Sequence, residues 1–306
     1  MRFAIDGHEI DYEVRGEGRT VIVLHGLTTD RRILAATCDP LLAAAGLRRV
    51  YLDLPGHGLS LGNPAYATAD GLVDALAALV TAVIQPTVTE PPLLIAYAYG
   101  GYLAQGLVGL VDLGGLFLLC PVVEPDFGKR TTPPKQVLVS DGELPFSDDP
   151  REREAFLEVA VVQTAPLLAR FQELVHPANI AVDPTFVATL RSRYGLARPL
   201  LPGLNAFTRP AAIVCGRHDH WVGFVDGARL AAQLPRASFA ALRSLVRSHG
   251  GELEKRAWLA DEITALLQRL GVDPRRLHGL VFAPLGERTM GLCPGEFFAL
   301  VARRPV

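Results

Sequence analysis

The sequence predicts an α/β protein: a mainly parallel, doubly wound sheet with helices on both faces and a helical insertion. Three observations carry this. Continuous apolar runs recur at 20–24, 93–97, 115–119 and 211–215, and such runs suit strands buried on both faces. Helical patterns stand between them at 31–45, 69–84 and 99–111. Strands alternating with helices argue for parallel pairing through crossover helices. The chain has 306 residues, 49% hydrophobic and 20% charged. It is long enough for one large domain with an insertion, and apolar enough to fill its core.

Taken in order, 2–5 and 10–14 alternate in polarity around Asp6-Gly7 and read as a β-hairpin. The run 20–24 is a buried strand, and the helix 31–45 after it stops at Gly46. Residues 49–52 form the next strand, ending in Asp53-Leu54-Pro55-Gly56-His57-Gly58. Helix 69–84, strand 93–97, helix 99–111 and strand 115–119 follow. Residues 122–209 break the alternation: Pro-rich at first, then with helical patterns near 151–174 and 184–194, they read as a cap packed above the sheet. Strands at 211–215 and 237–242 and a helix at 252–270 close the core. The expected organisation is therefore a core of residues 1–121 and 210–270, a cap of residues 122–209, and a C-terminal extension of residues 271–306 without clear periodicity.

Composition narrows the function classes. Lys plus Arg number 30 against 32 Asp plus Glu, a net charge of -2, so the electrostatic footprint of a nucleic-acid binder is missing. The four cysteines (Cys38, Cys120, Cys215, Cys293) form no CxxC pair, and a reduced, cytoplasmic protein is expected. The N-terminal residues lack the pattern of a secretory signal. Mean hydropathy is +0.25, yet Gly, Pro or charge is expected to break each apolar run short of a membrane span.

The stretch that carries chemistry is Leu93-Leu94-Ile95-Ala96-Tyr97-Ala98-Tyr99-Gly100-Gly101. An apolar strand enters a helix with almost no loop, and small residues stand at 96, 98, 100 and 101. That is the layout of a nucleophile elbow, G-x-S-x-G, whose crowded turn needs small neighbours. With this stretch the sequence resembles the α/β-hydrolase family over about residues 10–270. Leu24-His25-Gly26-Leu27 resembles that family's oxyanion loop, and Asp53 to Ser60 its D-x-P-G-x-G-x-S turn. Gly216-Arg217-His218-Asp219-His220-Trp221-Val222 is similar to the segment bearing the triad acid, and Ser248-His249-Gly250 to the one bearing the histidine. The order elbow, Asp, His is also the family's.

The departure falls at the nucleophile position, which is Ala98. Alanine has neither hydroxyl nor thiol, so the chain as written is expected to be inactive in Ser-type catalysis. With serine there, the resemblance implies proton abstraction by His249 and orientation of its imidazole by Asp219. The N–H groups of Leu27 and Tyr99 would stabilise the oxyanion. Retention of the rest of the apparatus favours an engineered Ser-to-Ala change; natural loss is the competing account. Asp226, Glu124 and Asp126 compete with Asp219 as the acid. His25 and His57 are expected to bond loop backbone, and His218 with His220 lacks a third metal ligand. Tyr97 and Trp221 are candidate pocket residues. The expected function is a cofactor-free serine hydrolase for an ester, thioester or lactone with an apolar acyl part. That part would sit under cap residues such as Phe156, Leu168, Phe171 and Phe186. The alternative is a non-hydrolytic protein on the same fold, either a ligand-binding receptor or a cyclase or lyase using His249 for acid–base work.

Overall fold

The computed structural model describes residues 1–242. The expected helix 252–270, the extension 271–306 and His249 lie outside the described residues.

The chain opens with a hairpin, β1 (Arg2–Ile5) and β2 (His8–Arg15), followed by β3 (Thr20–Leu24), α1 (Arg31–Ala44) and β4 (Arg48–Leu52). Helix α2 (Ala69–Leu79) widens into a π-helical turn at Val80–Ile84, then come β5 (Leu93–Tyr97), α3 (Tyr99–Leu107) and β6 (Gly115–Leu119). Between β6 and the next sheet strand lie β7 (Val139–Ser140), α4 (Pro150–Val159), β8 (Val162–Gln163), α5 (Ala165–Arg170), α6 (His176–Ala181), α7 (Pro184–Ser192) and α8 (Leu201–Ala206). Strand β9 (Ala211–Gly216), α9 (Phe224–Gln233) and β10 (Ala237–Leu242) follow.

The eight-stranded sheet has the order β1-β2-β4-β3-β5-β6-β9-β10. The pairs β1–β2 and β2–β4 are antiparallel and the rest are parallel. Alternation along the parallel strands divides the core between two faces. Ile22, Leu24, Val50, Leu52, Leu94, Ala96, Leu116 and Leu118 meet α2 and α3 on one face. Val21, Val23, Tyr51, Ile95, Tyr97, Phe117 and Leu119 meet α1 on the other. Two-sided burial is why these strands read as unbroken apolar runs.

Three expectations are corrected in detail. Helix α3 stops at Leu107 rather than 111, because Val108 turns extended and Gly109 takes φ +90. The pattern at 151–174 is not one helix. It breaks after α4 where Val162 pairs with Val139, and restarts at α5 with Pro166 in its first turn. The run Ala69–Thr87 is helical throughout, and long and apolar enough by composition to cross a membrane. In the fold its Leu72, Val73, Leu76 and Leu79 are instead packed into the sheet core.

Candidate active site

The chain moves from β3 to β4 on one side, then returns across β3 to β5 on the other. That reversal opens a crevice beyond the carboxyl ends of β3 and β5, where open α/β sheets bind ligands. Leu24 and Ala96 are paired in register, so the loop after β3 and the turn after β5 leave the sheet side by side.

Ala98 is the pivot between β5 and α3, with φ 49 and ψ -115. This region disfavours L side chains, and non-glycine residues held there mark sites where the fold over-determines the backbone. Its N–H donates to Leu119 O at 3.1 Å, and its carbonyl accepts from Tyr102 N at 3.3 Å and Val122 N at 2.9 Å. Tyr97 and Tyr99 are buried, whereas Ala98 between them is half-buried. The close approach explains the small residues. A Cβ added at Gly100 would lie 2.3 Å from His25 O, and one at Gly26 would lie 3.0 Å from the Ala98 Cβ.

The loop after β3 is folded tightly. Gly26 O accepts from Thr29 N at 3.4 Å and Thr29 Oγ1 at 2.9 Å, and Thr28 takes φ 59. His25 is wholly buried; its Nε2 accepts from Leu54 N at 2.8 Å, while Nδ1 lies 2.7 Å from Gly26 O and donates to it. Burial pushes its imidazole down to about 4, so it is a neutral brace between two loops. His57, also buried and held down to about 4 by burial, places Nδ1 2.9 Å from Pro55 O. Leu27 thus directly precedes the positive-φ Thr28, and Tyr99 directly follows the positive-φ Ala98.

Asp53 organises the turn after β4. Its carboxylate accepts from Arg31 N and Leu59 N, both at 2.9 Å, and Gly58 (φ +53) leaves no room there for a Cβ. Ser60 Oγ donates to Asp53 O at 2.7 Å. Burial raises the Asp53 carboxyl, which its backbone donors oppose. This aspartate is committed to the loop.

Asp219 lies beyond β9, where its Oδ1 accepts from Trp221 N at 2.9 Å and Val222 N at 3.0 Å. No described residue donates to Oδ2. The competing carboxylates are all engaged. Asp226 is buried, accepting from Thr131 N at 2.9 Å and pairing with Arg229 at 2.7 Å. Glu124 accepts from Asp126 N at 2.8 Å, and Asp126 from Gly128 N at 3.0 Å with Lys129 at 3.1 Å. His220 Nε2 lies 3.0 Å from Glu158 O. The Trp221 ring meets Phe127 edge-on at 5.4 Å, and its buried Nε1 has no partner among the described residues.

Sequence reasoning passed over two residues here. Tyr194 stacks on Tyr99 at 4.2 Å, and its carbonyl accepts from the Tyr99 hydroxyl at 3.2 Å. Arg130 donates to carbonyls of two loops. Both act across more than ninety residues of sequence, where no local pattern signals them.

Comparisons with known proteins agree with this architecture. The description "Alpha/beta hydrolase family" matches residues 21–262, and the chain belongs to that family. An alpha/beta superfamily hydrolase from Oenococcus oeni PSU-1 is similar, with TM-score 0.72 and 25% identity over 89% of this chain and 99% of its own. An esterase, EaEST, from Exiguobacterium antarcticum superposes with TM-score 0.61 and 19% identity over 87% of this chain and 97% of its own. An esterase, RhEst1, from Rhodococcus sp. ECU1013 gives TM-score 0.64 and 22% identity over 88% and 98%. No curated protein matches the chain in sequence.

Proposed function

We propose that this is a carboxylic ester hydrolase site, extending to thioesters or lactones, whose nucleophile position is held by Ala98 in place of an original serine. The observation that carries this reading is the backbone at residue 98. A turn with φ 49 would be relaxed by glycine, yet a side-chain-bearing residue stands there, half-buried, with its Cβ near Gly26 of the loop after β3. Strain kept where glycine would relieve it fits a position built to present a reacting group. The fold of the relatives named as esterases is consistent with ester chemistry.

In the serine form, His249 takes the hydroxyl proton, and Asp219 uses Oδ2 to orient the imidazole and stabilise the imidazolium. The Leu27 and Tyr99 N–H groups stabilise the developing oxyanion by about 3 kcal/mol each. The proton on His249 passes to the leaving oxygen, and water activated by the same histidine releases the acyl group. Residues 122–209 act as the cap. Phe156, Leu167, Leu168 and Phe171, expected to hold the acyl part, are instead buried against one another as the core of that segment. The Trp221 indole N–H, without a partner among the described residues, suits an acceptor oxygen of the substrate.

The test is Ala98→Ser, followed by fluorophosphonate labelling and turnover of short- and medium-chain nitrophenyl esters. Labelling at residue 98 and turnover abolished by His249→Ala are the expected results. Turnover by the unmodified chain that survives purification would sink this reading in favour of a cyclase or lyase. An unlabelled Ala98→Ser protein that binds its ligand tightly would favour a receptor.

A further inference from the structure

Arg130 follows a short helical turn at Phe127–Lys129 and sits between the loops after β6 and β9. Its Nε donates to Glu124 O at 2.8 Å, its Nη1 to Trp221 O at 2.9 Å, and its Nη2 reaches Pro125 O at 3.5 Å. The planar fork thus spans two loops at fixed geometry, as a guanidinium can and an ammonium cannot. Its Cζ lies 5.3 Å from the centroid of the Phe127 ring and 5.8 Å from that of Tyr194. Tyr194 stacks in turn on Tyr99, the residue following the elbow pivot.

Trp221 is therefore held at both ends. Its N–H is bonded to Asp219 Oδ1, and its carbonyl is bonded to Arg130. A carboxylate that spends one oxygen on the backbone of its own turn can aim the other only as well as that turn is fixed. We infer that Arg130 is a positioning residue: through the Trp221 carbonyl and the Tyr194–Tyr99 stack it fixes the Asp219 turn relative to the elbow. The catalytic consequence rests on the hydrolase reading above; the mechanical one does not.

Two readouts separate these. In the unmodified chain, Arg130→Ala is expected to speed hydrogen exchange of the Trp221 and Val222 amides by about tenfold or more, with Arg130→Lys intermediate. In the Ala98→Ser background, Arg130→Ala is expected to lower kcat about 10- to 100-fold with KM little changed. The acid limb of kcat/KM should also move to lower pH, because an imidazolium beside a displaced carboxylate loses its proton more readily. A merely structural arginine would not move that limb. Unchanged amide exchange overturns the clasp. Faster exchange with turnover and acid limb unmoved overturns its role in positioning the acid. If Ala98→Ser is never labelled, the hydrolase reading falls while amide exchange still decides the clasp. If Arg130→Ala does not fold, Arg130→Lys gives the same readouts.

Discussion

At the scale of single residues, Ala98 holds a strained backbone with no reacting group on its side chain. Holding an L residue at φ 49 and ψ -115 costs about 1–3 kcal/mol. Glycine would remove that cost but lose about 0.5–1 kcal/mol more than alanine in backbone entropy on folding. Ala98→Gly is therefore expected to stabilise the protein by about 1 kcal/mol, read as a higher urea midpoint at unchanged m-value. A lower midpoint would show that the Cβ contact with Gly26 outweighs the strain. The elbow was legible in the sequence because its requirements are local: an apolar strand, an abrupt helix and small residues at fixed offsets. The turn bearing Asp219, after β9, was singled out only by its resemblance to the family's acid-bearing segment. What bonds to that turn was not legible, because Arg130 meets Trp221 from 91 residues away and neither residue carries a local signature of the other.

At the scale of elements, the strands read correctly because two-sided burial writes an unbroken apolar run. Helix ends read less well, since Val108 and Gly109 stop α3 through backbone conformation alone. Pairing of β7 with β8 overrides a helical period between α4 and α5. Hidden from any pattern is the charge network joining β2, α1 and the turn after β4. Arg31 Nη1 pairs with Asp11 Oδ1 and lies 3.6 Å from Asp53 Oδ2, whose side chain is 2% exposed. Removing the cation leaves buried carboxylates short of a partner, so Arg31→Met is expected to cost about 3 kcal/mol. Adding Asp11→Asn should recover part of that loss. In a double-mutant cycle by urea unfolding, the two changes should differ from additivity by more than about 1 kcal/mol. Strict additivity would mean that Arg31 serves only through its backbone N–H to Asp53.

At the scale of the whole molecule, buried neutral histidines set the acid limit of stability. Burial drives His25 and His57 from 6.5 down to about 4, and it lowers His8 as well. A group with a depressed folded pKa binds its proton first in the unfolded chain. Between about pH 6.5 and 4 the unfolded state therefore takes up protons that the folded state refuses. The stability these histidines lend is complete above that window and is lost as pH falls through it. At 1.36 kcal/mol per pKa unit, His25 and His57 each remove about 3 kcal/mol across the window. Asp53 works in the opposite direction, because its raised carboxyl protonates earlier in the folded state. Asp39, Asp70 and Glu152, all lowered, add their losses only at the acid end, as the carboxylates titrate. The onset near pH 6.5 therefore belongs to the histidines. Urea unfolding in steps from pH 8 to 4.5 should show stability level above pH 7, then falling by several kcal/mol with a slope near two protons. A stability that stays level down to pH 5 would show that one or both imidazoles are charged in the folded protein. The brace from His25 to Leu54 and Gly26, and with it the seating of the loop after β3 against the elbow, would then have to be redrawn.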